Sequence, residues 1–395
     1  MTNIWKLIRE FIFKSKDLTT IGVANLISTG ISAIFWLYIA SLLGAEQYGE
    51  LSYFIAIAGV ASVISLVGVG NTLIIYTAKE IRIQATIFFI AIVSSIITAI
   101  IVYFLFSNIG ISFYIFGYVI FGLAISEILG RKLYSDYSKY LITQRILMAV
   151  FAIGFYFLVG PNGILIGIAL AFFPYLFRVY KGFKETKIEF SLIKPRFGFI
   201  VNSYLLDLSR ALSGYTDKII IAPLFGFAVL GNYYLALQLL GILSLLPSIV
   251  YQYILPREAS GLSNVLLKKL TIIASIIFAV IGITLGPVVL PIFFPKFIEA
   301  TDIIKIVSLA VIPITLNMMY LSKFLSQEKS RIMLVGSGIY LAALVLGIVI
   351  LGNNFGVNGI ALSLVISATS EAIYLMIIDK FLNLKQTDSN KNNEF

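Results

Sequence analysis

Four ionisable residues stand in one apolar stretch long enough to cross a bilayer: Asp207, Arg210, Asp217 and Lys218, within residues 197–225. Each such charge costs roughly 2.5–3.5 kcal/mol at membrane depth on insertion scales, so it faces protein or water rather than lipid. On a helix, Ser203, Asp207, Arg210, Gly214 and Asp217 recur at spacings of 4, 3, 4 and 3, one stripe down one face. Carboxylates and cations arranged this way suit the wall of an aqueous cavity, where they hold ions, phosphates or hydroxyls. The competing reading is a structural i,i+3 pair between Asp207 and Arg210. Four charges exceed what one structural pair requires.

Other chemistry is limited by what the chain lacks. It has no Cys and no His. That removes thiol catalysis, disulfides, Cys/His metal sites, histidine proton relays and hydrolase triads. No G-x-x-x-x-G-K-S/T run is present to cradle a nucleotide phosphate, and no glycine-rich dinucleotide fingerprint follows a strand. The loops expected on the outer side are short, the longest being 291–301, so a membrane enzyme with a substrate-binding loop is disfavoured. No cofactor or metal is expected.

The elements that carry the stripe follow from composition. Of 395 residues, 59% are hydrophobic and 12% charged, against about 25% charged in soluble domains. The mean hydropathy of +1.00 exceeds what a soluble chain of this length sustains. The chain therefore reads as all-α and polytopic. The first long apolar run, Leu18–Leu43, exceeds the core of a cleavable signal peptide, and none is expected.

Windows of about 20 apolar residues, enough for a bilayer core of roughly 30 Å, fall near 18–43, 49–74, 86–106, 112–130, 140–159 and 162–180. Six more fall near 198–224, 229–254, 267–290, 302–325, 332–351 and 357–379. This predicts twelve transmembrane helices. Before them, residues 4–13 alternate apolar and charged faces as an amphipathic helix lying in the headgroup layer, within an interfacial segment 1–17. Pro174, Pro247 and Pro313 interrupt spans six, eight and ten as bending points.

With the N-terminus inside, all but four of the 29 Lys and Arg residues lie on the cytoplasmic side or its helix ends; the four are Arg210, Lys218, Lys296 and Lys305. This asymmetry is the positive-inside rule, and it places both termini in the cytoplasm of a multi-pass cell-membrane protein. The net charge of +10 thus reports topology, and nucleic acid is not a partner.

The charged loop 181–197 divides an N-lobe, 18–180, from a C-lobe, 198–380, which a polar tail, 381–395, follows. The lobes resemble each other. IASLLGAEQYGELSYFIAIAG (39–59) aligns without a gap with IAPLFGFAVLGNYYLALQLLG (221–241), matching Gly44 with Gly226, Gly49 with Gly231 and Gly59 with Gly241. GPNGILIG (160–167) likewise matches GVNGIALS (356–363). Six spans per copy make this a parallel repeat about an axis along the membrane normal. The same register sets Asp207 on Asn25, Arg210 on Ser28 and Gly214 on Ser32, so span one carries a polar stripe in phase with span seven. The simplest geometry puts these two helices across a central cavity lined by Asn25, Ser28, Ser32, Ser203, Asp207, Arg210, Asp217 and Lys218. Glu127 and Glu371 are candidates for taking up a coupling ion, against the reading of paired structural carboxylates. Arg145, one turn inside span five, reads first as snorkelling to the interface, with a basic lining for a phosphate headgroup as the alternative. Gly22, Gly30, Gly44 and Gly214 are expected to allow close helix approach or leave room for a lipid tail.

The run LLGAEQYGELSYF after span one, and its echo TDKIIIAPLFGFAVLGNYYLA (216–236), resemble the opening motif of polysaccharide transporters of the O-antigen flippase type. These belong to the multidrug/oligosaccharidyl-lipid/polysaccharide exporter superfamily. The resemblance covers nearly the whole chain in length, span count and duplication. It implies two six-helix lobes around a cavity lined by helices one and seven. It also implies transfer of a polyprenyl-(pyro)phosphate-linked oligosaccharide from the inner to the outer leaflet by alternating access. Membrane lipids, and H⁺ or Na⁺ as coupling ion, are the further partners. The family's cavity is cationic, a role that would fall here to Arg210 with Lys218; Asp207 and Asp217 depart from that pattern. They keep a second reading open, a multidrug or cation antiporter of the same superfamily. A major-facilitator transporter fits less well, because YTAKEIRIQAT between spans two and three lacks the pattern usual there.

Overall fold

The computed structural model describes residues 16–259, 261–262, 264–327 and 329–392. The amphipathic helix expected at 4–13 lies outside them. All regular structure among the described residues is helical, as the bilayer demands of a chain that must satisfy its own backbone polar groups. The order is α1 (Lys16–Leu43), α2 (Ala45–Leu66), α3 (Val69–Ala78), α4 (Gln84–Phe106), α5 (Ile109–Gly130), α6 (Tyr134–Val159), α7 (Pro161–Leu170) and α8 (Leu176–Glu185). After the charged loop come α9 (Phe197–Phe225), α10 (Phe227–Leu243), α11 (Leu245–Ala259), α12 (Val265–Phe293), α13 (Ala300–Val307), α14 (Val311–Ser326) and α15 (Ser330–Asn392). Gly356, at φ 58° and ψ −138°, kinks α15 into two helices. The stretch expected as a polar tail continues α15 as far as Asn392.

By length and apolarity, nine spans qualify among the described residues, or ten if α10 and α11, bent by 49°, count as one. The charged helix α9 is not among them. The protein is an all-α, multi-pass membrane protein.

Three of the breaks fall where proline predicts them. A 3-10 turn at Phe173–Tyr175 separates α7 from α8, Ser244 separates α10 from α11, and a 3-10 turn at Ser308–Ala310 separates α13 from α14. Pro247 and Pro313 sit in the first turn after their break, where a missing N–H costs nothing. A fourth break, between α2 and α3, has no proline and was not expected. Val67 and Gly68 both take positive φ there, 47° and 72°. A Cβ on Gly68 would stand 2.5 Å from the Ile200 carbonyl oxygen, so the backbone of α9 passes directly over it.

Contacts sort the chain into two compact units: Met1–Ile39 with Phe54–Tyr215, and Ala40–Tyr53 with Thr216–Phe395. In the first unit, Leu73, Phe88, Ile120, Leu123 and Val179 form a buried core that joins α3, α4, α5 and α8. In the second, the repeat positions Gly49 and Gly231 meet each other. A Cβ on Gly49 would lie 1.8 Å from the Phe227 carbonyl oxygen, and one on Gly231 would lie 1.8 Å from that of Ala45. The two copies of the duplicated motif therefore pack backbone to backbone, with their helices crossing at these glycines. Gly22, Gly30 and Gly214, expected to allow close approach or leave room for a lipid tail, have nothing within 4 Å of a Cβ and so make no close crossing among the described residues. Gly44 instead takes φ +86° at the turn between α1 and α2, against the Lys296 side chain.

Gly49→Ala and Gly231→Ala should each lower the thermal midpoint of the purified protein, by an overpacking cost of about 1–3 kcal/mol or more. Gly22→Ala, in open space on α1, should leave it unchanged or raise it. Melting curves in detergent test the contrast; equal effects at the three glycines would show that the close crossing is not made.

Candidate functional site

The polar residues of α9 are divided between the two units. Its first part, with Ser203, Asp207 and Arg210, belongs to the first unit; Asp217 and Lys218 belong to the second.

In the first unit, Arg210 Nη1 lies 3.7 Å from Asp207 Oδ1. The pair is loose, and the Arg210 side chain is 74% exposed while that of Asp207 is 27%. Ser203, one turn earlier, is buried. Asp207 faces the helix next to the Val67–Gly68 break, for a Cβ on Gly70 would stand 3.9 Å from both Asp207 Oδ2 and Ser126 Oγ. Tyr118 on α5 lies within electrostatic reach of both Asp207 and Arg145, and Tyr215 within reach of Tyr118 and Arg145. Gly59 is what admits the Tyr215 ring, whose Cζ is 2.5 Å from where a Cβ would be.

Arg145, for which snorkelling and a basic lining were both open, lies with this cluster. Its Nε is buried and has no hydrogen-bond partner among the described residues. Its neighbour Gln144 is only 1% exposed, and neither amide atom is partnered among those residues. The signal in the sequence was a Gln–Arg dipeptide inside an apolar span. Tyr118 and Tyr215 gave no signal among 22 tyrosines.

On α1, Ser28 is buried and Ser32 partly so; both hydroxyl oxygens are unpartnered among the described residues. Asn25 is half-buried, and its carbonyl accepts a hydrogen bond from Thr29 Oγ1 at 2.8 Å. α1 and α6 adjoin where the Ser138 hydroxyl donates to the Thr20 carbonyl at 3.2 Å.

Together these residues of the first unit comprise two guanidiniums, one carboxylate, two phenols, an amide unpartnered among the described residues and two serine hydroxyls. Guanidiniums suit phosphate, and amides and phenols suit hydroxyl-rich groups.

In the second unit, Asp217 and Lys218 are largely buried and pair with each other at 2.9 Å. The Tyr233 hydroxyl donates to Asp217 Oδ2 at 3.3 Å, and Lys218 Nζ stands 5.7 Å over the Tyr234 ring. Tyr340 lies within electrostatic reach of both Asp217 and Glu371. Glu371 accepts from Asn317 Nδ2 at 2.9 Å, and no basic side chain pairs with it among the described residues. Asp217 and Glu371 thus share Tyr340 as an electrostatic neighbour inside the second unit.

Glu127 has a different setting. It is fully buried, accepts from Arg178 Nε at 2.8 Å and pairs with Arg131 Nη2 at 2.6 Å. Arg131 continues to Glu185, which Lys181 also approaches at 3.8 Å. This ion cluster ties the ends of α5 and α8 together.

The class of protein that this fold defines is an all-helical, multi-pass membrane bundle. The chain has the fold of "Lipid II flippase MurJ, inward closed conformation", at a TM-score of 0.76 and 14% identity over 91% of this chain and 87% of that one. It is similar also to the inward-facing multidrug resistance MATE family transporter of the MOP superfamily, at 0.65 and 14% identity over 91% and 95%. A third is the MATE multidrug transporter DinF-BH, at 0.66 and 15% identity over 92% and 94%. At these identities the likeness is one of fold. No protein-family model matches the chain, and no curated protein does.

Glu127→Gln should strongly destabilise the protein, because Arg178 then keeps a buried charge without its partner, a cost of about 3–5 kcal/mol. Glu371→Gln, which keeps its bond to Asn317, should shift the melting midpoint far less. Similar losses from both would mean that Glu127 is not the clamp between α5 and α8.

Proposed function

We propose that the protein is a flippase that moves a polyprenyl-(pyro)phosphate-linked oligosaccharide from the inner to the outer leaflet by alternating access. Twelve spans, two six-helix lobes and cytoplasmic termini belong to the same reading, as does a place in the cell membrane. The observation that carries it is the cluster in the first unit, where Arg145 and Arg210 outnumber Asp207. Moving a sugar head unaided drags many hydroxyls through hydrocarbon, each costing kilocalories when unpaired. Guanidiniums hold a diphosphate bidentately without reading the sugars. Gln144, Tyr118, Tyr215 and the serines of α1 then offer hydrogen bonds to hydroxyls, while the polyprenyl chain stays in lipid. The flippase among the structural neighbours supports a lipid-linked cargo.

A second reading, export of organic cations, is favoured by the buried carboxylate Asp217, the partly buried Glu371 and the multidrug transporters among the same neighbours. In either reading Glu371, which has no basic partner among the described residues, is the better carrier of a coupling H⁺ or Na⁺, and Glu127 is structural.

Reconstituted liposomes carrying a polyprenyl-diphosphate-linked oligosaccharide separate the two. Protein-dependent exposure of the sugar to an impermeant glycosidase is expected, falling about tenfold or more in Arg210→Ala and in Arg145→Ala. Absence of exposure together with proton-linked efflux of a cationic dye would replace the flippase by the antiporter. Orientation is tested independently, since the chain has no native Cys. In cells, Lys184→Cys should resist an impermeant maleimide and Glu299→Cys should react; the reverse pattern would invert the topology.

A further inference from the structure

A cavity with charged walls lies within the second unit, among α11, α12, α14 and α15, and no residue of α9 lines it. Its volume is about 480 Å³, within the range of small-molecule sites. Among the described residues its charged lining is three lysines, Lys268, Lys269 and Lys323, against two carboxylates, Glu258 and Asp379. Lys268 pairs with Glu258 at 2.5 Å and donates to the Met319 carbonyl at 3.1 Å; these two charged side chains are 16% and 15% exposed. The Ser322 hydroxyl donates to Glu258 at 2.6 Å, and Lys323 pairs with Asp379 at 2.5 Å. Four charges are thus held in place by one another. Lys269, exposed, has no ion pair among the described residues and leaves the cavity with an excess of one positive charge.

Apart from Tyr320, Ser326 and Gln327, the rest of the lining is apolar. Leu262 and Val265, both more than half exposed, stand at its side, with Leu316 and Met319 deeper. A fixed cationic floor beside an exposed apolar flank matches an amphiphile with an anionic head. On the proposed orientation, on which this step rests, the cavity meets the cytoplasmic leaflet. Basic pockets between helices on that side take the headgroups of anionic lipids.

We infer that this cavity binds the phosphate of an anionic phospholipid from the inner leaflet, with Lys268, Lys269 and Lys323 toward the phosphate and Leu262 and Val265 along the acyl chain. Lysine serves such a diester as a point charge, and Glu258 and Asp379 keep the lysines spread across the floor rather than competing as free acids.

The test is native mass spectrometry of the full-length protein released from micelles doped with phosphatidylglycerol or phosphatidylcholine. Because retention is read without transport or sidedness, its failure is distinguishable from failure of the flippase reading. The expected result is a phosphatidylglycerol adduct that survives activation energies that strip phosphatidylcholine. Its retained fraction should fall at least tenfold in Lys268→Gln/Lys269→Gln. Val265→Trp, which changes no charge but fills the flank, should lower retention as well, and covers the case in which the double variant misfolds. Equal retention of the two lipids, or unchanged retention in both variants, would overturn the site. Displacement of the lipid by equimolar glycerol 3-phosphate would assign the phosphate to a soluble ligand and overturn the lipid assignment.

Discussion

The cost of a charge at membrane depth organises this protein more than any other term, because a bilayer offers an ion no water to fall back on. The structure meets that cost in three ways. Glu127 is enclosed by two guanidiniums and becomes a rivet between helices. Asp217 is neutralised by the lysine that follows it and by a tyrosine hydroxyl. Asp207 and Arg210 are only loosely paired, and the arginine is left largely exposed. Tight pairing makes the first two structural or slow to change. The loose pair is the one whose charge remains available to something else.

Helix crossing supplies the second constraint. Lipid gives apolar helices no hydrophobic reason to associate, so contact depends on backbones coming close enough for dispersion and on polar bonds between helices. Gly49 and Gly231 meet that demand with carbonyls lying where a side chain would begin. They are equivalent positions of a duplicated motif, so each copy supplies the groove that the other fills. Gly68 plays the corresponding part where α9 crosses the break between α2 and α3, and Gly59 where Tyr215 enters the first unit. The breaks at Val67–Gly68, Ser244 and Ser308–Ala310 redirect helices without exposing many carbonyls, since short 3-10 turns and tight corners retain most of the hydrogen bonds.

These two constraints meet on α9. One helix threads both units, and its polar residues sort between them. The part with Arg210 joins Arg145, Tyr118 and Tyr215, a cluster rich in donors. The part with Asp217 pairs with Lys218 and Tyr233 and shares Tyr340 as a neighbour with Glu371 on α15.

Sequence alone determined the helical membrane class, the breaks at Pro174, Pro247 and Pro313, and the polar character of α9, because each follows from local chemistry: apolarity over 20 residues, a missing N–H, or a charge that lipid will not hold. It also marked Gly49 and Gly231 as equivalent, but not as touching. Which charges end up satisfied was decided only in three dimensions. Glu127 and Glu371 look alike in the chain, each a carboxylate in an apolar span, yet one meets Arg178 from 51 residues away and the other meets Asn317 from 54. Arg145 and Gln144 were visible as polar residues, but their burial depends on how α6 packs in the first unit. The periodicity of a helix gives the face on which a residue lies; the partner opposite that face comes from a distant segment, and only tertiary packing brings it there.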